Sequence, residues 1–496
     1  MFPKVQFVFI LFILSHITSQ AQDVSGKIID EETKTPIPYV TIKYGIDNGT
    51  ISNEEGDFNL FIPKNKSVTD SIHFSSIGYA TKTIAAHHVL DTLIVLKPEA
   101  LELSSIYLTD EKLSAEDIID RVEDNISKNY AATYTKNRFF MRESFNQYYQ
   151  RLNFDFKKSS IKEITKELID SMMSSIPKRT SFHNETLGDL YHKQFSNSQK
   201  LSIIKTSKLY NKSQEVSFEN LQKKFMQVLN DNVKKDSYLK IKSGLFGTKV
   251  SVDSIVNTSK NSDQIQADYE QNNYFNSRKG NINTLLKRVF FEEDSPINVI
   301  RKSNRYDFKI EDYVYIDDQF AYVISFTPGN FEDIKGKLYI NTEDFAVLRI
   351  DYQNSDAIYD KKFNMLGVNV NHMTYKGTMI FSKGTQQKYV LKYISHENGN
   401  SFKLDRPLTV IEKNKHVKGR RKQNELKLQM KFNIIDKNKK ELIVFNSHNI
   451  ETNTYNAVKE VKKVDVKYFS SYNAEFWKGY NIIEPNQAIK EFTNLN

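Results

Sequence analysis

Apolar and polar side chains alternate in short segments of the first hundred residues, and this alternation most constrains how the chain can fold. Tyr39–Tyr44 reads YVTIKY, which places Val40 and Ile42 on one face of a strand. Phe58–Ile62 reads FNLFI and alternates in the same way after a turn at Gly56. Short alternating segments separated by turn residues are typical of two packed antiparallel sheets. The sequence therefore predicts an N-terminal all-β sandwich.

The turn between two of these segments carries a cluster of polar side chains, Asn53–Asp57 (NEEGD). An EF-hand calcium loop needs a bidentate Glu at its twelfth position, where this sequence has Lys64. A hairpin turn explains each residue better, because Gly56 supplies a positive φ and the polar side chains keep the tip hydrated. We therefore expect a hairpin here and no metal site.

The same part of the chain resembles a known family. The matching positions lie in the first two strands, the turn between them and the returning strand: Gly26, Ile28, Asp30, Pro36, Pro38, Val40, Gly49, Thr50, Ser52, Gly56, Phe58 and Leu60. The segment Ser75–Lys82 (SSIGYATK) matches a later element. This pattern resembles the carboxypeptidase-regulatory-like domain, a seven-stranded, transthyretin-like sandwich. The resemblance implies a sandwich over residues 22–110 without catalytic residues, used as an accessory module in exported envelope proteins of Gram-negative bacteria.

The first 21 residues have the pattern of a signal peptide. Lys4 precedes the apolar run Val5–Leu14, and the small residues Ser19 and Ala21 occupy the −3 and −1 positions of a cleavage site. The apolar run is shorter than the roughly 20 residues that span a bilayer, although an uncleaved membrane anchor is the alternative. We expect an exported protein, periplasmic or associated with the outer membrane, with no transmembrane span in the mature chain.

Composition narrows the chemistry and the partners. The chain has no Cys, which excludes disulfides, a lipidated Cys, a thiol nucleophile and a Cys-ligated zinc site. Its formal net charge is +9. In an exported protein such a charge favours an envelope protein or an anionic glycan or lipid surface over nucleic acid, or it serves only solubility.

Residues 111–300 change to a helical period. Ser114–Tyr130 places five apolar residues on one helical face, with Ser114 and Asp117 in capping-box positions. Helical spacing recurs from Ile161 to Met172, in Ser217–Val233 and in Asn283–Phe291. We predict a mixed, largely helical region.

Residues 301–496 return to alternation. Phe320–Pro328, Lys335–Asp344 and Phe345–Gln353 form a meander joined by short polar turns, and similar segments continue to Ile435. The chain is thus predicted to be a multidomain α+β protein with a C-terminal antiparallel sheet and tail. The only tryptophan, Trp477, is expected to anchor the tail on that sheet.

The C-terminal sheet loosely resembles the half-barrel sheets of periplasmic lipoprotein-carrier proteins, which enclose an acyl chain. The resemblance rests on the pattern G-x-L-x-I-x-x-x-x-F-A-V-x-R-I within Gly336–Tyr352. It implies a half-barrel with an apolar pocket lined by alternate residues of two strands: Phe320, Tyr322, Ile324, Leu338 and Ile340.

Catalytic motifs are missing from the sequence. None of the ten His begins H-E-x-x-H, and neither a G-x-S-x-G elbow nor a phosphate-binding loop occurs. S-x-x-K sequences occur, as at Ser159–Lys162 and Ser237–Lys240, but the companion motifs of the enzymes that use them are missing. We therefore predict no catalytic residue, no metal and no cofactor.

The densest basic stretch, Lys413–Lys431, offers a candidate anion site. Its candidate residues cluster around Gly419: Lys415, Lys418, Arg420, Arg421 and Lys422. Adjacent guanidinium groups can bind phosphate oxygens in pairs. The simpler interpretation is a hydrated hairpin loop between two strands.

These observations favour a non-enzymatic, exported cell-envelope protein whose C-terminal sheet binds a glycan, a lipid or a protein. A periplasmic lipid or lipoprotein carrier is the first alternative. A hydrolase of cell-wall or peptide material is the second.

Overall fold

The computed structural model describes residues 22–492 except for short gaps at 46–47, 63–70, 87–91, 100–112, 131, 195, 197, 212–219, 221–222, 225–226, 229, 253–262, 317–318, 330–333, 356–357, 385–386, 415 and 420. The signal-peptide prediction for residues 1–21 lies outside the described residues. The chain divides into two compact units. The first comprises 1–100, 315–318 and 473–487, and the second comprises 101–314, 319–472 and 488–496.

The first unit contains the predicted seven-stranded sandwich. Its strands are β1 (Gln22–Asp30), β2 (Thr41–Tyr44), β3 (Asn48–Ile51), β4 (Asp57–Ile62), β5 (Ser71–Ser75), β6 (Lys82–Ala85) and β7 (Thr92–Leu96). One sheet has the order β4-β1-β7 and the other β3-β2-β5-β6. Strand β1 is antiparallel to β4 and parallel to β7. The alternating residues predicted to face inwards form the core between the sheets, including Val40, Ile42, Phe58 and Leu60.

A turn lies at Gly56 as predicted, but the prediction of a hairpin is wrong, because β3 pairs with β2, β4 pairs with β1, and the turn joins two different sheets. Gly56 has a φ of +76°, and a Cβ built there would lie 2.5 Å from the carbonyl oxygen of Ile28. Only glycine meets both conditions without strain. The Asn53 side chain fixes the turn, because its Oδ1 accepts hydrogen bonds from the backbone N–H groups of Glu55 and Asp57, each at 2.9 Å.

The chain's penultimate segment, residues 473–487, belongs to the sandwich unit. Asn481 Oδ1 accepts a hydrogen bond from the Phe61 N–H at 2.7 Å, and the Thr50 hydroxyl donates to the Ile482 carbonyl at 3.0 Å. The side chain of Asn53 donates to the Pro485 carbonyl at 3.2 Å. Trp477 lies in this segment and is 3% exposed. The expectation that it anchors the tail on the C-terminal sheet is therefore wrong, because the segment packs with the N-terminal sandwich.

The second unit is built on one large sheet. Its strands are β8 (Tyr134–Ser159), β9 (Arg179–Lys193), β10 (Gln199–Tyr210), β11 (Tyr238–Ser243), β12 (Phe246–Ser251), β13 (Tyr306–Ile316), β14 (Gln319–Pro328), β15 (Ile334–Asn341), β16 (Val347–Asn354), β17 (Ile358–Met365), β18 (Val368–Lys383), β19 (Tyr389–Lys413), β20 (Lys422–Asn449) and β21 (Lys467–Phe469). The main order is β13-β14-β15-β16-β18-β19-β20-β8-β9-β10-β21. The hairpin β11–β12 pairs with β19, and β17 pairs with β18. The order has two ends, so the sheet is open.

The described helices are α1 (Ala115–Asn129), α2 (Lys166–Ser174), α3 (Asp263–Leu286), α4 (Thr452–Ala457), α5 (Ala474–Trp477) and α6 (Gln487–Lys490). The predicted capping box of α1 is confirmed, because the Ser114 hydroxyl accepts from the Asp117 N–H at 3.1 Å and Asp117 accepts from the Ser114 N–H at 2.9 Å. The helix predicted for Asn283–Phe291 is instead the end of α3, which stops at Leu286.

Residues 111–300 and 301–496 contribute to the same sheet. Strand β8, which comes first among the strands of this sheet in sequence, pairs with β20 along almost its whole length, from Thr135 opposite Asn449 to Ser159 opposite Leu426. In the described part of residues 111–300, strands outnumber helices. The sequence did not indicate this excess of strands, because β8 to β10 carry buried residues on both faces and therefore lack a clear alternation. In the part of the chain that the structure describes, no helix is long and apolar enough to cross a membrane.

Candidate functional site

An apolar cavity of about 380 Å³ opens at one end of the large sheet. It is lined by residues of β8, β11, β19 and β20, by helix α2, and by residues of the segments that precede α2 and β11. These residues are Phe154, Ile161, Ile164, Ile169, Met172, Met173, Val233, Leu239, Ile241, Leu408, Val410, Glu412, Asn424, Glu425, Leu426 and Leu428. Its volume is within the range of small-molecule sites and exceeds twice the roughly 150 Å³ of a cavity that holds benzene.

Local sequence explains why these side chains converge. Strands β19 and β20 form a hairpin in which Leu408 is opposite Leu428 and Val410 is opposite Leu426. Because side chains alternate between faces, all four lie on the same face of the sheet. Helix α2 is capped by the Thr165 hydroxyl, which accepts from the Leu168 N–H at 3.2 Å. The apolar side of this helix forms a wall of the cavity.

The polar residues at the edge of the cavity are bonded to one another. Glu412 is 2% exposed, and its carboxylate accepts hydrogen bonds from the Ser237 hydroxyl at 2.6 Å, the Lys234 N–H at 3.1 Å and the Asn424 amide at 2.8 Å. These bonds leave the surface that faces the cavity apolar. The cavity therefore suits a ligand part without hydrogen-bonding groups, such as a hydrocarbon chain.

The pocket predicted from the carrier resemblance lies elsewhere and is closed. Tyr322 is opposite Ile340 and Ile324 is opposite Leu338, so these four residues share a face as expected. None of the four is more than 8% exposed, because they are packed in the core of the unit. The fifth residue, Phe320, is 42% exposed. The prediction of a pocket lined by these residues is wrong, since strand alternation alone does not show what covers a sheet face.

The basic stretch forms the loop between β19 and β20, next to the cavity. Lys418 and Arg421 are exposed, whereas Lys415 and Arg420 lie outside the described residues. The ammonium group of Lys422 lies 2.8 Å from a carboxylate oxygen of Glu425, so this cation is paired within the hairpin. The loop position agrees with the simpler interpretation, and the anion contact stays a prediction.

Ionisable groups suited to metal binding do not converge in the described residues. Among them, no group of three or more His, Asp or Glu side chains is arranged to hold a metal ion. One pair of buried ionisable groups is instead bonded across neighbouring strands, the Arg142–Glu185 ion pair at 2.7 Å between β8 and β9.

Buried His183 makes the stability of the fold sensitive to acid. Burial lowers the pKa of His183 from 6.5 to about 3, with a further lowering from the charges of Arg142 and Arg179. Below pH 6.5 the unfolded chain binds a proton that the folded chain excludes, so stability falls with pH by about 1.4 kcal/mol per pH unit down to pH 3. We expect His183→Gln to reduce this slope in urea unfolding measured at several pH values. Equal slopes for both proteins would contradict this assignment.

Comparison with known proteins supports the prediction of an N-terminal sandwich. Residues 24–108 match the family model of the CarboxypepD_reg-like domain. A stretch of 104 residues is 28% identical to the TonB-dependent receptor P3 of Formosa agariphila. This stretch is 21% of the present chain and 10% of the receptor, so the chain spans only a tenth of that relative. The match over residues 24–108 agrees with the predicted sandwich, and the similarity fits a protein of the cell envelope.

Solved structures that resemble the chain overlap with it weakly. One is a putative outer membrane lipoprotein-sorting protein domain from Vibrio parahaemolyticus, with 7% identity, a TM-score of 0.20, and coverage of 69% of this chain and 97% of that chain. Another is MucB in complex with MucA(peri), with 7% identity, a TM-score of 0.16, and coverage of 65% and 92%. Overlap this low carries no argument about function.

Proposed function

We propose that this protein is an exported, non-enzymatic protein of the cell envelope whose large sheet unit binds a hydrocarbon chain in the cavity beside α2. The N-terminal sandwich then serves as the accessory module. The single observation that carries the proposal is the apolar surface of the 380 Å³ cavity. Contact between water and such walls is unfavourable by about 25 cal/mol per Å² of apolar surface. An acyl chain that displaces this water would gain that free energy.

The walls also suit an acyl chain in their flexibility. Met172 and Met173 of α2 face the cavity, and methionine side chains adapt to irregular apolar ligands. The opposite walls are β-strand residues held by the β19–β20 hairpin. A fixed wall facing an adaptable one fits a ligand class that varies in length rather than one rigid molecule.

The test measures binding of a fluorescent fatty acid, dansylundecanoic acid, to protein freed of lipid, and native mass spectrometry of the protein as purified. We expect saturable binding and a co-purified acyl compound. Substitution of Val410→Trp places an indole in the cavity and should weaken binding at least tenfold, or about 1.4 kcal/mol.

The matched control is Thr409→Trp, which puts the same group on the adjacent residue of β19. Thr409 points to the opposite face of the sheet, so its substitution should leave binding unchanged. Equal losses in both variants, or no binding by the unmodified protein, would overturn the proposal.

A further inference from the structure

A row of polar side chains crosses the large sheet far from the cavity. Residues directly opposite one another on consecutive strands form this row, which we call the polar row: Asn184, Glu143, Lys440, His396 and Tyr352, with Gly377, which has no side chain, between the last two. The adjacent row on the same face is wholly apolar and buried: Met141, Leu442, Ile394, Met379, Ile350 and Leu338. A polar row within a core needs a specific explanation, because burial of such groups is unfavourable unless they are paired.

Helix α3 covers one end of the polar row. The Arg278 guanidinium contacts the carboxylate of Glu143, and the Asn281 amide donates to the same carboxylate. Lys440 Nζ donates to Asn281 Oδ1 at 2.9 Å. The Glu143 carboxylate therefore lies in a cluster with two positively charged side chains, those of Arg278 and Lys440.

A third cation approaches from the segment after α3. Arg288 donates to the Tyr375 hydroxyl at 2.5 Å, and its guanidinium carbon lies 5.3 Å from the centre of that ring. The Tyr375 ring centre is 4.6 Å from that of His396. His396 is directly opposite Lys440 on the adjacent strand, so the contact through Tyr375 brings Arg288 to the part of the row where Lys440 lies. Burial lowers the pKa of Lys440, with a further lowering from the charges of Arg288 and Arg278.

The cluster has more donors than the described residues satisfy. Arg288 Nε and Arg278 Nε are buried and have no hydrogen-bond partner. His396 is 4% exposed; its Nδ1 lies 3.0 Å from the Tyr352 hydroxyl, while its Nε2 has no partner within hydrogen-bonding geometry. Lys440 and Arg288 are only half-buried, so a ligand from solvent can reach them.

Charge and geometry together identify the ligand class. Three cations and the Glu143 carboxylate leave a surplus of two positive charges in a partly dehydrated place, where unpaired charge is unfavourable. A dianion with several oxygens would balance it, and planar guanidinium groups bind such oxygens well. We propose that Arg278, Arg288 and Lys440, with His396, form a binding site for a phosphate group.

The test is calorimetric titration of the full chain with inorganic phosphate at constant ionic strength. We expect saturable binding of one phosphate per chain, at least tenfold weaker in Arg288→Gln and weaker still in Arg288→Gln/Lys440→Gln. The variant Lys440→Arg keeps the charge and should keep binding. The control Lys437→Gln removes an exposed cation three residues away on β20 and should change nothing.

Three outcomes would overturn the proposal. They are the absence of phosphate binding, equal binding in Arg288→Gln and the unmodified protein, and a loss of binding in Lys437→Gln as large as in Arg288→Gln.

Phosphatidylglycerol vesicles distinguish a free phosphate group from a membrane surface. Binding to vesicles without binding to inorganic phosphate also contradicts a site of this kind. If the double variant does not fold, Arg288→Gln and Lys440→Arg give the same decision.

Discussion

Substitution of Arg142→Met is expected to destabilise the large sheet unit by about 3–5 kcal/mol. The Arg142 guanidinium lies 2.7 Å from the Glu185 carboxylate, and the two side chains are 2% and 7% exposed. Loss of the cation leaves that carboxylate dehydrated and without its opposite charge. Urea unfolding followed by far-UV circular dichroism measures the change.

The protein offers a matched control on the same two strands. Arg138 of β8 pairs with Asp189 of β9 at 2.6 Å, but its side chain is 38% exposed. Water and salt screen this pair, so Arg138→Met should lower the free energy of unfolding by about 1 kcal/mol or less. The double variant Arg142→Met/Glu185→Leu should recover most of the loss, because an apolar pair of similar volume needs no counter-charge. Similar losses for Arg142→Met and Arg138→Met would show that burial is not what matters.

Truncation of Trp477→Ala is expected to destabilise the sandwich unit by about 3–5 kcal/mol. The indole is 3% exposed in the segment that hydrogen-bonds to Phe61 and Thr50. Its removal leaves a large gap in a segment far from the seven strands in sequence. Differential scanning calorimetry of the full chain measures the effect as a lower temperature of the unfolding transition.

Nearby Tyr480→Ala is the control for that experiment. Tyr480 belongs to the same segment and is also aromatic, but it is 39% exposed. Its truncation should change stability by less than about 1 kcal/mol, since surface substitutions usually have small effects. The conservative variant Trp477→Phe should lie between the two. No destabilisation by Trp477→Ala would contradict the assignment of this segment to the folded core of the unit.

The sandwich could be predicted from the sequence because its information is local. Gly56 and the alternating segments near it define a turn between two strands within fifteen residues, and the structure has the same faces buried. That the two strands belong to different sheets is not visible in the local pattern. The capping box at Ser114 is local in the same sense. By contrast, residues 473–487 complete the sandwich from the other end of the chain, and no local pattern indicates that partner.

The candidate sites could not be predicted for a related reason. The cavity joins residues of α2, β11 and the β19–β20 hairpin, which are brought together only by the order of strands in the sheet. Lys440 and His396 look like ordinary surface residues in the sequence, and their row appears only when β20 and β19 are in register. The alternation predicted for Ile324 and Leu338 was right, but it did not reveal that other residues cover them.

The pairing of β8 with β20 has a consequence for how the protein folds. The Thr133 hydroxyl bonds to the Asn449 side chain, 316 positions further along the chain. The centre of the large sheet therefore cannot form until nearly the whole chain is available, and closing so large a loop must precede any gain from the contacts. We expect folding to be slow, with the edge of β8 that later pairs with β20 exposed to aggregation in the meantime.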